Sequence, residues 1–302
     1  MAPVDQYLAV DIGGTKLAAA VVTGTGRVVH QREVPTPSAK PGQKYLVAHS
    51  LTELVTDVVG EEPIAGVGIA SAGPIDAARG TVSPVNIPAW RNFDVVSAVS
   101  DAVGGPQPRL IHDSTAAALG EHWIGAGAGS RAVLGIVVST GIGGGLVMGG
   151  RPISGSAGNA GFIGHLTADP AGERCACGRI GCVETGASGP AILRWARANG
   201  WTGHSTSDLA EAAASGEPVA LAAFRRGADF LAEGIITSAI LLDLDRIVIA
   251  GGVSAAGDVL LTPLREALAR DGSPAVRKLN VVRAALGRRS GLIGAARHAM
   301  AR

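Results

Sequence analysis

Aromatic side chains are scarce: Phe, Trp and Tyr together make up 3% of the 302 residues. Hydrophobic residues still reach 47%, so a core must be assembled from Ala, Val, Leu and Ile, and the chain is globular rather than disordered. Net charge is almost absent, at +1, which excludes the broad basic footprint of a nucleic-acid or membrane-surface binder. The short basic patch Arg283, Arg288 and Arg289 reads as a solvated face. Long apolar runs are missing too. The longest, IITSAILLDLDRIVIAGG, is broken by Asp, Arg and Gly within a bilayer's width, so no membrane span is expected. The start, MAPVDQYLAV, lacks the basic region and long apolar stretch of a signal peptide, and a cytoplasmic location is expected. Cysteine is limited to Cys175, Cys177 and Cys182, an odd number within eight residues. That pattern is a poor disulfide framework and a better metal site.

Glycine, by contrast, is abundant: 44 residues, about double the usual share. Many stand in short clusters beside apolar runs, as expected where chains turn tightly or a ligand approaches the backbone. Residues 7–22, YLAVDIGGTKLAAAVV, read as a strand, a Gly turn and a second strand. Residues 133–150, VLGIVVSTGIGGGLVMGG, repeat that form. Between them, 66–76 is a buried-type strand ending in a Gly/Pro turn. Residues 109–123 are a strand, a polar turn holding Asp113, and a helix with Ser114 and Thr115 as candidate caps. Residues 151–189 have little periodicity and read as a long functional loop. Helices are expected at 190–200 and 207–242, a strand at 245–252, a helix at 257–270, a strand near 278–286 and a closing helix at 291–302. Strands alternating with helices make an α/β protein.

Five groups of residues carry chemistry. In DIGGTK (11–16), Gly13 and Gly14 can offer backbone N–H groups to phosphate oxygens, Thr15 adds a hydroxyl, and Asp11 can hold Mg²⁺ through water. Taken alone, an ordinary hairpin explains the segment equally well, and Lys16 fits a surface position as readily as a phosphate contact. In STGIGGG (139–145), Thr140 stands beside Gly141, Gly143 and Gly144, a second phosphate candidate. Neither segment is a GxxxxGK[ST] loop, and neither leads straight into a helix as a dinucleotide fingerprint would. Two matched hairpins weigh more than either alone. In IAGGVS (249–254), Gly251 and Gly252 could let a flat base lie on the backbone, although a plain strand-to-helix turn is the simpler reading. His165, Cys175, Cys177 and Cys182 form a donor set suited to tetrahedral, structural Zn²⁺, which would staple a loop poor in large apolar residues. Asp113 could accept the proton of a hydroxyl acceptor, while by pattern alone an Asp at a helix start is more often a cap.

The order DIGGTK, GPID, HDSTAAALGE, STGIGGG, then GH and CACGRIGCVETGASG resembles the ROK family of bacterial sugar kinases and repressors over nearly the whole chain. The resemblance implies an actin/hexokinase-like ATPase fold with two lobes around a cleft. The lobes are expected at 1–112 plus 291–302, and at 113–290 with the zinc loop. It implies that ATP and a sugar are the small-molecule partners, that Asp113 is the catalytic base, and that His165 and Glu184 contact the sugar. It further implies that the two hairpins hold the phosphates, that zinc lies on His165, Cys175, Cys177 and Cys182, and that the chain forms a homodimer or homotetramer. The family's repressors carry a DNA-binding domain before the first motif. Here ten residues precede Asp11, and no such role is expected.

Two positions depart from the family's glucose kinases. Their Asn-Asp pair is here His112-Asp113, and the Glu of their Glu-x-Gly-His is here Phe162. Replacing a carboxylate by a phenyl ring removes a charge-assisted acceptor, worth roughly 1.5–3 kcal/mol where it is used. A pocket with Phe162 and His112 is therefore expected to favour an aminosugar, such as kanosamine, glucosamine or an N-acetylated hexosamine, over glucose. ATP-dependent phosphorylation of the 6-hydroxyl of a glucose-like hexose is the expected reaction, with an ordinary glucokinase as the alternative and a non-catalytic sugar- and ATP-binding sensor as the alternative of another class.

Overall fold

The computed structural model describes residues 5–60 and 63–301. The chain forms two compact units, Met1–Gly125 with Gly150–Ala160 and Arg288–Arg302, and Ala126–Gly149 with Gly161–Gly287. Among the described residues no helix is long and apolar enough to cross a membrane.

The first unit opens with β1 (Gln6–Ile12), β2 (Lys16–Thr23), β3 (Val28–Pro35), α1 (Lys44–Val59) and β4 (Gly66–Ser71). Three short strands follow, β5 (Ile75–Asp76), β6 (Thr81–Val82) and β7 (Phe93–Asp94), which pair into a small sheet of their own. Then come α2 (Val95–Val103), β8 (Arg109–His112) and α3 (Asp113–Ile124). The main sheet has the order β3-β2-β1-β4-β8. The hairpin pairs β1 and β2 antiparallel, while β4 lies parallel to β1 and β8 parallel to β4. Leu8, Ala9, Val10 and Ile12 are wholly buried, as expected of a central strand covered on both faces. The outer strand β3 carries His30, Arg32 and Glu33 and ends at Pro35, which blunts it against pairing with another chain.

The second unit holds β9 (Ala132–Val138) and β10 (Ile142–Met148), separated by the short β11 (Arg151–Ile153) of the first unit from everything downstream. Its helices are α4 (Val183–Ala187), α5 (Gly189–Ala198), α6 (Thr206–Ala214), α7 (Pro218–Leu242), α8 (Asp258–Ala269) and α9 (Pro274–Arg277). Strands β12 (Arg246–Ala250) and β13 (Asn280–Arg283) complete the sheet, β9 pairing antiparallel with β10 and parallel with β12. A final helix, α10 (Ser290–Ala299), returns to the first unit.

The boundary expected at 112/113 lies elsewhere. Helix α3 belongs with the first unit because it packs backbone to backbone on α10. A Cβ at Gly120 would overlap the Ser290 carbonyl, and one at Gly294 would overlap that of Ala116. A chain short of aromatics thus fills its interior by bringing helices together rather than by inserting rings. The single helix expected over 207–242 is two. Ser205 and Asp208 form a capping box on α6. Gly216, at φ +88°, then turns the chain, and the Glu217 carboxylate caps α7 with Pro218 in its first turn.

Candidate active site and metal centre

Residues of the first hairpin are held from several sides. The Gly13 N–H donates to the Lys16 carbonyl at 3.0 Å, and the Thr36 hydroxyl donates to the Gly13 carbonyl at 2.7 Å. A Cβ on Gly14 would fall inside the Asn86 side chain, so this glycine serves close packing on the 83–92 loop. Thr15 is exposed. The Lys16 ammonium pairs with Glu33 on the neighbouring strand at 2.8 Å, and this contact lowers the pKa of Glu33. Asp11, at the end of β1, has its carboxylate against the first turn of α10, where a Cβ on Gly291 would stand 2.7 Å from Oδ2. Burial, and then the neighbouring charge of Asp113, push its pKa from 3.8 up to about 7, with Lys16 opposing. Two of the expected site carboxylates are thereby brought together within one unit.

Asp113 opens α3 directly after β8, with His112 in an extended conformation at the cap position. Its Oδ1 accepts from the Ser114 backbone N–H at 2.6 Å and lies 2.9 Å from His112 Nδ1. The same Nδ1 is 2.9 Å from Ser114 Oγ. Asp113 is a little over two-fifths exposed at its side chain, whereas His112 is buried. Where a sugar-facing imidazole was expected, His112 uses Nδ1 to orient Asp113 and Ser114, and its Nε2 lies 2.8 Å from where a Cβ on Gly73 would stand. Thr115, expected as a cap, instead lies within α3 with its hydroxyl buried and without a hydrogen-bond partner among the described residues.

In the second hairpin the turn is tight: the Ser139 N–H donates to the Gly141 carbonyl at 2.9 Å. Glu184 Oε2 accepts from the Ile142 N–H at 2.8 Å and lies 2.6 Å from where a Cβ on Gly141 would stand. Glu184 therefore clamps this turn. Gly143 and Gly144 lie within β10 rather than in the loop, and Gly144 is bare because the Gly161 carbonyl packs against it. Gly251 has φ +90° with Val138 behind it, so the turn after β12 needs glycine there, while Gly252 faces open space. A cavity of about 560 Å³ opens beside these turns, lined by Thr140, Thr206, Ser207, Glu211, Gly252 and Phe224 among others. Thr206, Ser207 and Glu211 were not anticipated. The S-x-x-D sequence at Ser205–Asp208 marks the helix start that presents them.

His165 closes a 3₁₀ turn, Ile163–His165, that begins after the half-buried Phe162. Its Nδ1 is 3.8 Å from Cys175 Sγ, and Cys177 Sγ is 3.6 Å from Cys182 Sγ. All four donor atoms fall within 4.8 Å of one another. A Zn–S bond of about 2.3 Å places tetrahedral ligands about 3.8 Å apart, so the donor set fits zinc in chemistry and size. Burial pushes the Cys182 thiol up to about 12, whereas a backbone hydrogen bond at Arg179 lowers Cys177. Cys182 is the cap residue of α4, and Glu184 is in the first turn of the same helix, so cluster and hairpin clamp share one short element.

Residues 7–302 match the ROK family. The chain is 35% identical to the glucokinase of Streptomyces coelicolor, over 96% of each chain. It is 36% identical to the N-acetylmannosamine kinase of Citrobacter koseri, over 96% of this chain and 97% of that one. Among solved structures, the ROK family glucokinase from Streptomyces griseus, in complex with glucose and AMPPNP, is 35% identical and superimposes with a TM-score of 0.82, over 97% and 99% of the two chains. Both kinds of relative are sugar kinases, and the structural match is to the actin/hexokinase-like α/β fold. The chain belongs to the ROK family, as an ATP-dependent sugar kinase.

Proposed function

We propose that the chain transfers the γ-phosphoryl group of ATP to the 6-hydroxyl of a glucose-like hexose, and that the preferred hexose is an aminosugar. The observation that carries the first part is Asp113: a partly exposed carboxylate at a helix start, oriented by His112 and the Ser114 N–H, with a second carboxylate, Asp11, beside it. In this reading Asp113 accepts the hydroxyl proton while the sugar oxygen bonds to the γ-phosphorus and the bond to the departing ADP breaks. Asp11 would hold Mg²⁺ through water, and that ion supplies charge neutralisation on the phosphates. Burial that makes Asp11 reluctant to ionise alone is the environment in which a cation is welcome. The turns around Gly13–Thr15 and Ser139–Gly141 hold the phosphates, and the cavity beside Thr140 and Gly252 takes the nucleoside. His165 and Glu184 contact the sugar. Zn²⁺ on His165, Cys175, Cys177 and Cys182 is structural, and three thiol donors suit a reducing, cytoplasmic setting.

The preference for an aminosugar rests on Phe162, which offers a ring where the family's glucose kinases offer a carboxylate acceptor. The relatives, glucokinase and N-acetylmannosamine kinase alike, stand at nearly equal identity and do not favour one sugar. The deciding measurement is kcat/KM for glucose, glucosamine, N-acetylglucosamine, N-acetylmannosamine and kanosamine under one condition. An aminosugar is expected to lead. Glucose ahead by tenfold, about 1.4 kcal/mol of transition-state preference, overturns the substrate assignment and leaves the phosphoryl transfer intact. Phe162→Glu is expected to move the ranking toward glucose by about tenfold, the worth of one regained charged hydrogen bond.

A further inference from the structure

One buried acid has no part in the chemistry so far. Glu121, in the last turn of α3, is 1% exposed, the least exposed Asp, Glu, Lys or Arg among the described residues. Its Oε1 accepts from the Ser290 hydroxyl at 2.9 Å, and Ser290 is itself buried. A Cβ on Gly125, the cap that ends α3, would overlap Oε2. The carboxylate thus sits at the carbonyl end of its own helix, where negative charge is disfavoured. A buried charge so placed destabilises α3 taken alone. What it secures is the position of Ser290.

That position lies beside the acidic pair. Helix α3 carries Asp113 at its first residue and Glu121 in its last turn. Helix α10 carries Ser290 at its first residue and then Gly291, where a Cβ would stand 2.7 Å from Asp11 Oδ2 and 3.3 Å from Asp11 Cγ. All of these residues belong to the first unit. Next to Glu121, Gly120 presents bare backbone to the Ser290 carbonyl, which a Cβ there would overlap. A glycine contact of this kind lets two helices approach closely but offers no side chain against sliding or rotation. A hydrogen bond is directional. Gly120 therefore meets Ser290 at its carbonyl while Glu121 holds it by its side chain. Two contacts on one residue fix where α10 begins, and the next residue is the one that backs the Asp11 carboxylate.

We propose that Glu121 is a positioning residue for Asp11: through Ser290 it sets the first turn of α10 behind the Asp11 carboxylate, and with it the place of that carboxylate relative to Asp113. The proposal rests on the reading of Asp11 as the holder of Mg²⁺ through water. Glu121 touches neither metal nor sugar in this arrangement. Its loss therefore acts on metal binding and kcat, and leaves sugar KM alone.

The test reads Mn²⁺, in place of Mg²⁺, by electron paramagnetic resonance on the intact protein with saturating AMPPNP, against AMPPNP alone. Kinetic constants and thermal melts accompany it. Ser290→Ala should weaken Mn²⁺ binding by about tenfold, the lower end for residues that support a metal site from behind its ligands, with sugar KM unchanged. It also takes a donor from a buried carboxylate and should lower the melting temperature. The double variant Glu121→Met with Ser290→Ala removes donor and acceptor together, so stability should recover while Mn²⁺ binding stays weak. A double variant that regains Mn²⁺ binding along with stability overturns the proposal, because the pair then serves stability alone. Unchanged Mn²⁺ binding in folded Ser290→Ala overturns it too. Asp11→Asn separates this from the reading beneath it. That variant should weaken Mn²⁺ at least as much, and if it does not, Asp11 does not hold the metal and both readings fall.

Discussion

The two glycine hairpins share a backbone device and differ in what stands behind it. In the first, Gly14 lies against Asn86, Lys16 is paired with Glu33, and Asp11, next to last in β1, has a carboxylate close enough to Asp113 for their charges to interact. In the second, no acid or base belongs to the turn itself. One carboxylate from outside, Glu184, accepts from the Ile142 N–H, and the helix that carries it begins at a cysteine of the Cys-His cluster. The first hairpin is thus anchored by packing and loaded with acid. The second is neutral and clamped through an element that the cluster positions. Similar sequences at 11–16 and 139–145 therefore do not imply similar sensitivities.

The largest effect is expected on the acidic side. Asp113→Asn keeps the shape and removes the base, and kcat should fall roughly 10²–10⁴-fold with little change in sugar KM. Near-normal turnover in the variant would remove Asp113 from the chemistry. On the neutral side, Cys175→Ser removes one of the four donors proposed for zinc and should lower the zinc content of the purified protein. Because Cys182 and Glu184 share α4, activity should fall together with metal content measured on purified protein. Full activity without metal would detach the second hairpin from the cluster.

A pair of alanine substitutions sharpens the comparison. Gly14→Ala meets Asn86 close to the backbone, where the neighbour cannot swing aside, and should destabilise by about 1–3 kcal/mol in a denaturant titration. Gly141→Ala meets only the tip of Glu184, so it should cost less stability but loosen the clamp on Ile142 and raise KM for ATP. Equal stability losses would mean that the two turns are anchored alike.

A further effect is one of pH. Asp11 titrates at about 7 in the folded chain against 3.8 for the free side chain, so the folded state holds its proton more tightly. Between those values the folded state binds more protons than the unfolded one, and stability falls as pH rises from about 4 to about 7, then levels off. Asp11→Asn should flatten that slope in thermal melts without nucleotide and raise the melting temperature at pH 8. Unchanged slopes would place the titration elsewhere.

Much of this was legible in the sequence because it depends on local pattern. The hairpins, the cysteine cluster and the strand-turn-helix at Asp113 each announce themselves within a few residues. Helix α1 announces itself less plainly: Val47, Leu51, Leu54, Val55 and Val58 recur at helical spacing, without a side-chain cap to mark the start. What sequence could not show was the use of particular groups. Gly144 looks like a loop glycine until Gly161 is found against it, and His112 looks like a pocket wall until its Nδ1 is found on Asp113 and Ser114. Both depend on partners fixed by tertiary contacts, for which periodicity carries no signal.

The return of α10 to the first unit has a consequence for synthesis. Gly68 of β4, Gly120 of α3 and Gly294 itself lie against or within that helix at backbone distance, so the first unit's interior is incomplete until the chain has passed residue 290. The whole of the second unit, 126–149 and 161–287, leaves the ribosome earlier and contains β9, β10, β12 and β13 with its own helices. Vectorial synthesis therefore lets the later-encoded unit mature first, while the strands that open the chain wait, partly uncovered, for their last helix. A translation pause or premature stop shortly before Ser290 would then release a chain with an intact second unit and an exposed first sheet, a natural client for chaperones.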